Sequence, residues 1–143
     1  MENGATLQRK IYFLKVLSEG RSFDEILSAI DELDGDDMYS REEGRDERLF
    51  LRSFEQKNDM YRGSIARLRL NGLPSLGQLH ARDTRLLQVA EDEGLVETTH
   101  FIFFKTSGIL AIEYNHYGPR ASALDSHLNA KANLLFGEPS NIS

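Results

Sequence analysis

Residues 98–117, TTHFIFFKTSGILAIEYNHY, limit what this chain can fold into more than any other stretch. Two runs rich in Phe, Ile and Tyr flank Thr106-Ser107-Gly108, and such side chains suit a pleated, half-buried surface. Gly108 reaches a positive φ without a Cβ penalty, so the segment predicts an antiparallel hairpin with a tight turn. With Ser107-Gly108 as the central pair, Phe104 lies across from Ala111 and His100 across from Asn115. With Thr106-Ser107 as the central pair, His100 lies across from Glu113. Side chains alternate with period two, so both registers give one face of Phe101, Phe103, Leu110, Ile112 and Tyr114. The other face holds His100, Ile102, Phe104, Ile109, Ala111, Glu113 and Asn115, and both faces are predicted to be at least partly covered.

Polarity rises away from the turn, ending in Glu113, Asn115, His116 and Tyr117 before Gly118-Pro119-Arg120. Pro119 at a first helical position, followed by Ala121, Leu124, Leu128, Ala132 and Leu135, predicts a closing helix. Junctions of this kind leave backbone N–H groups and side chains at an edge. Glu113, Asn115, His116, Tyr117 and Arg120 are therefore a candidate binding rim. Glu113 beside His100 has the makings of an acid–base pair, and the plainer reading is a hydrogen-bonded pair that holds the hairpin.

Upstream, residues 9–17, RKIYFLKVL, are apolar on both faces and predict a central strand. Ser22-Phe23-Asp24-Glu25 is a capping box, and Phe23, Ile26, Leu27, Ile30 and Leu33 then share one helical face ending near Asp34-Gly35. Residues 35–46 are acidic and poor in apolar groups, which predicts an exposed loop. Residues 48–57 and 60–70 predict two strands joined at Asn58-Asp59. Ile65, Arg67 and Arg69 alternate with Ala66, Leu68 and Leu70, which predicts a solvated face bearing arginines. The chain then runs irregularly from Asn71 to about Asp83, and residues 84–89 read as a strand or a helix, with strand favoured by the turn at residues 91–94.

The predicted fold is α+β: a largely antiparallel sheet of five to six strands with two main helices, as one domain over residues 9–136 between tails at 1–8 and 137–143. A chain of 143 residues is long enough to bury a core of its own. It has no cysteine, which excludes disulfides and thiolate-held metal centres. It has no apolar run of membrane-spanning length and no secretory leader, so a cytoplasmic location with no membrane partner is the default expectation. The net charge of −6 comes mainly from Asp24 to Glu47, and argues against broad duplex binding. That acidic strip could itself bind a basic partner or mimic nucleic acid.

Catalytic signatures are sparse. Glu55-Gln56-Lys57 has the E-x-K spacing of the PD-(D/E)xK nucleases, with Asp46 upstream as a second carboxylate; the spacing also suits a solvated strand end. No phosphate-binding glycine loop and no nucleophile elbow occurs, so neither nucleotide use nor a serine nucleophile is supported. No cofactor and no metal site is expected. The leading expectation is a non-enzymatic interaction module, using Arg67, Arg69 and the rim at Glu113, Asn115, His116, Tyr117 and Arg120. A protein partner comes first, a nucleic acid second, and a homodimer stays open. A metal-dependent nuclease using Asp46, Glu55 and Lys57 is the alternative.

The string HFIFF…GILAIEYN…GPR…L…HL, carried by His100, Phe101, Glu113, Asn115, Gly118, Pro119 and Arg120, resembles uncharacterised bacterial families found in phages, mobile elements and anti-phage defence loci. The resemblance covers the second half of the chain. It implies a setting of phage defence or counter-defence, and relatives longer than this chain. It carries over no catalytic residue.

Overall fold

The computed structural model describes residues 8–18, 20–41 and 47–137. Its elements run β1 (Ile11–Lys15), α1 (Phe23–Asp31), a 3-10 turn (Gly35–Met38), β2 (Ser40–Arg41), β3 (Glu47–Lys57) and β4 (Met60–Arg69). β5 (Ser75–Gly77), β6 (Thr84–Leu86), β7 (Leu95–Phe104), β8 (Ile109–Glu113) and α2 (Ala121–Phe136) follow. Six strands form one antiparallel sheet in the order β1-β8-β7-β4-β3-β2, and β5 and β6 form a separate pair. The fold is α+β with an antiparallel sheet, as the sequence predicts.

Both helices lie on one side of the sheet. Ser22 caps α1, its hydroxyl accepting from the Glu25 N–H at 3.4 Å, and Phe23, Ile26, Leu27 and Ile30 are buried. They meet Tyr61, Ile65, Phe101, Phe103, Leu110 and Ile112 from the sheet and Leu124, Leu128 and Ala132 from α2 in one core. The Phe23 and Phe103 rings sit 4.5 Å apart. At about 25 cal/mol per Å2, each such fully buried side chain contributes roughly 2 kcal/mol to folding.

The central hairpin takes the Thr106-Ser107 register: Phe104 pairs with Ile109 and Phe101 with Ile112 around a loop of residues 105–108. Gly108 has φ 70°, and its N–H closes the loop on the Phe104 carbonyl at 2.8 Å. Asp59, in the turn between β3 and β4, holds the loop from outside, its carboxylate accepting from the Thr106 N–H at 3.2 Å.

Several expectations are corrected. Residues 9–17 do not form a central strand: β1 is an edge strand, with Phe13 69% exposed. Apolar side chains on both faces fit a central strand and an uncovered edge equally well, and the sequence cannot separate them. The predicted loop at residues 35–46 includes the 3-10 turn and β2, while residues 42–46 lie outside the described residues. The segment before Asp83, expected to be irregular, contains β5, and of the strand predicted at residues 84–89 the part Thr84–Leu86 forms β6, paired with β5 outside the main sheet. Pro119 is not the first helical residue, because α2 starts at Ala121 with Arg120 as its N-cap.

Candidate functional site: the uncovered face of the sheet

Cross-strand pairs share a face, so the registers define what the side opposite the helices presents. One row runs Lys57, Met60, Phe104, Ile109 and Lys15. The next runs Glu55, Arg62, Ile102, Ala111 and Phe13. Further along lie Ser53, Ser64 and His100, then Phe50 and Ala66, then Arg48 and Leu68, with Arg41 beside Arg48. Among the described residues no helix packs here, although the small Ser64 and Ala66 at its centre are fully buried. Ile11 and Phe13 are exposed, and Ile102, Phe104 and Ile109 are half-buried.

The charge on this face is opposite to that of the chain. It carries Lys15, Arg41, Arg48, Lys57 and Arg62, and Arg9 reaches it through an ion pair with Glu113 at 3.6 Å. Among the described residues two carboxylates stand against these, both engaged: Glu55 with Arg62, and Glu113 with Arg9 and His100. Among the described residues Arg48 and Lys57 have no ion-pair partner. The acids of the first half lie instead on and after α1, where Glu25, Asp31, Glu32, Asp34, Asp36 and Asp37 are exposed. A shallow cleft of about 450 Å3, lined by Ser53, Glu55, Arg62, His100 and Ile102 among others, opens on the same basic face. The arrangement can hold an anion over flat apolar and aromatic surface.

The residues predicted from sequence fare unevenly. Glu55 and Lys57 share this face, but Glu55 is tied to Arg62. Asp46 lies outside the described residues, and among those described no group of three acidic, His or Cys side chains is placed to hold a metal. Arg67 and Arg69 do not lie on a solvated face and are only partly exposed. They sit in line with the fully buried Ile65 on the helix side, and Arg67 pairs with Glu47 at 3.0 Å with its side chain 13% exposed. A two-residue alternation gives the spacing of a face but not which side the helices take.

The strand-to-helix junction divides in two. Asn115 is buried, its Nδ2 donating to the Thr98 carbonyl at 2.8 Å and its Oδ1 accepting from the Tyr117 N–H at 3.3 Å. It is an internal tie, not part of a rim. Gly118 packs so closely that a Cβ there would lie 2.6 Å from Thr99 Oγ1 and 2.7 Å from Asn115 Nδ2. Glu113 accepts from the backbone N–H of His100 at 2.8 Å and bonds its Nδ1 at 2.9 Å, so that pair does hold the hairpin. His116 and Tyr117 stay exposed as an edge-to-face pair, and the Arg120 guanidinium stacks 4.4 Å from the Tyr114 ring.

Two polar clusters went unseen in the sequence. Asp24 accepts from the Tyr61 hydroxyl at 3.4 Å and pairs with Lys105 at 3.3 Å, joining α1 to the sheet. Burial, then the Asp24 charge, push the Tyr61 phenol up, and the bond to Asp24 raises Lys105. On α2, buried His127 shares a 2.5 Å hydrogen bond with the Ser40 hydroxyl of β2. Asp24 and Tyr61 are 37 residues apart and Ser40 and His127 are 87, so no local motif marks either cluster.

No protein-family model, curated protein or solved structure matches the chain.

Proposed function

We propose that this protein is a non-enzymatic binding module that holds single-stranded nucleic acid on the uncovered face of its sheet. The observation that carries the reading is the reversal of charge: a chain of net charge −6 sets Lys15, Arg48 and Lys57 beside exposed and half-buried aromatic and aliphatic side chains on one open face. Bases stack on such platforms, and lysine and arginine at the margins neutralise phosphates. The phage-defence setting implied by the sequence resemblance belongs to the same proposal. An open sheet face presents no protruding helix or ribbon to enter a duplex groove, so single strands are favoured over duplex.

The test is fluorescence anisotropy with a labelled 12-mer of thymidylate and one of uridylate, against a duplex of mixed sequence. Binding is expected to weaken with salt, with a log–log slope of about −2 to −3, as for a few phosphate contacts. Phe13→Ala should weaken it about tenfold, the scale of one lost stacking contact, and Lys57→Glu by a similar factor. Equal binding by Lys57→Glu and the parent protein, or none by the parent at low salt, would remove the proposal.

The nuclease alternative has a weaker footing, because the carboxylate of its E-x-K motif is committed to Arg62. Metal-dependent cleavage that disappears in Glu55→Ala would restore it.

A further inference from the structure

A different feature, the free edge of β1, points to a second kind of partner. In the β1–β8 ladder the Tyr114 N–H donates to the Lys10 carbonyl at 2.7 Å, and the Val16 N–H donates to the Gly108 carbonyl at 2.8 Å. Even-numbered residues of β1 thus face β8, and the antiparallel alternation turns the N–H and C=O groups of Ile11, Phe13 and Lys15 outwards. Unpaired ladder groups on an apolar edge are a template for another strand.

The core is also unfinished along this edge. Tyr12 is 47% exposed, while its row-mates Ile112 and Phe101 are buried. Between the helix side of β1–β8 and the first turns of α2 run two adjoining cavities of about 300 and 150 Å3. Tyr12, Leu14, Leu110, Ile112, Ala121 and Leu124 give them apolar walls, and Arg120 stands at the mouth. A strand added to β1 would turn every second side chain into this groove.

We propose that β1 takes an extended segment of a partner protein as a seventh strand, one that alternates apolar and acidic residues. Charge selects the occupant. Arg9 and Lys10 precede β1, Lys15 ends it and Arg120 stands at the groove mouth. The nearby carboxylates are engaged, Glu113 by Arg9 and His100, and Asp125 by Asn129. A second copy of β1 fits less well, since an antiparallel pair would crowd Arg9, Lys10 and Lys15 of both copies without a facing acid. Apolar side chains fill the groove and backbone bonds fix the register, as in other strand-addition complexes. The edge borders the open face at Phe13 and Lys15, but the outward backbone groups and the helix-side groove that carry this proposal do not depend on nucleic-acid binding.

The probe is an end-blocked nonapeptide alternating valine and glutamate, with a valine–lysine peptide as control. Amide exchange followed by NMR on the whole protein should show Ile11, Phe13 and Lys15 becoming protected with the glutamate peptide alone. Ala121→Trp, which fills the groove, should weaken peptide binding at least tenfold. Lys57→Glu, remote from the edge, should leave it within twofold while weakening oligonucleotide binding. Equal binding of the lysine peptide would overturn the proposal. So would protection elsewhere than β1, or sedimentation showing that the edge is closed by a second copy. The wild-type exchange experiment stands even if Ala121→Trp fails to fold.

Discussion

At the scale of single residues, buried polar groups act here as ties between distant parts of the chain. Asn115 joins the end of β8 to the Thr98 carbonyl of β7 and to its own turn, and Gly118 closes over it. Asn115→Ala would leave the part-buried Thr98 carbonyl and Tyr117 N–H without their partner, at a cost of about 1 kcal/mol. A urea unfolding midpoint unchanged by that substitution would show that water replaces both bonds. His127 is the second tie. Burial, then the Lys131 ammonium, push its imidazole down to about 4, and Nε2 has no hydrogen-bond partner among the described residues. Asp37 is the acid that acts on Lys131 from the neighbouring turn. In the unfolded chain the same imidazole titrates near 6.5. Between roughly pH 6.5 and 4 the unfolded chain therefore binds a proton that the folded one refuses, so stability falls as pH falls through that window. The whole effect is of order 3 kcal/mol. Urea midpoints of the parent and His127→Gln, compared at several pH values, should converge as the pH drops; parallel curves would mean the imidazole is not buried neutral.

At the scale of elements, the contrast lies between strands that share the core and those that do not. β3, β4, β7 and β8 are long or doubly flanked, and they supply Leu49, Tyr61, Ile65, Phe101, Phe103, Leu110 and Ile112 to the buried interior. The β5–β6 pair stands apart from the main sheet, with Leu76 40%, Leu79 83% and Leu86 77% exposed. A lone two-stranded hairpin is marginal in water. Amides of β5 and β6 are thus expected to exchange orders of magnitude faster than those of β4 and β7 in native-state hydrogen exchange. Protection matching β4 would show that something else holds the pair.

At the scale of the whole molecule, the fold sorts charge by side. Acids decorate the helix layer and the turn after it, while the open face keeps its lysines and arginines. Exposed charges more than about 8 Å apart are largely screened at physiological salt, so the cations on the face itself dominate what it attracts. Reversing Asp36 and Asp37 to lysine should therefore change oligonucleotide affinity less than twofold, whereas Arg48→Glu with Lys57→Glu should abolish it. Equal effects from the two pairs would mean that net charge, not this face, governs binding.

The amino-acid order alone determined the hairpin at residues 98–117, the capped helix α1, the paired strands β3 and β4 and the α+β class. Each rests on neighbours within a few residues: a turn glycine, a serine cap, alternating side chains. The pairing of β1 at the rim, the turning of Arg67 to the helix side beside Ile65, the internal role of Asn115 and the basic open face were decided only by the tertiary structure. Period-two alternation names two faces of a strand, but which face is covered depends on where helices distant in sequence come to rest.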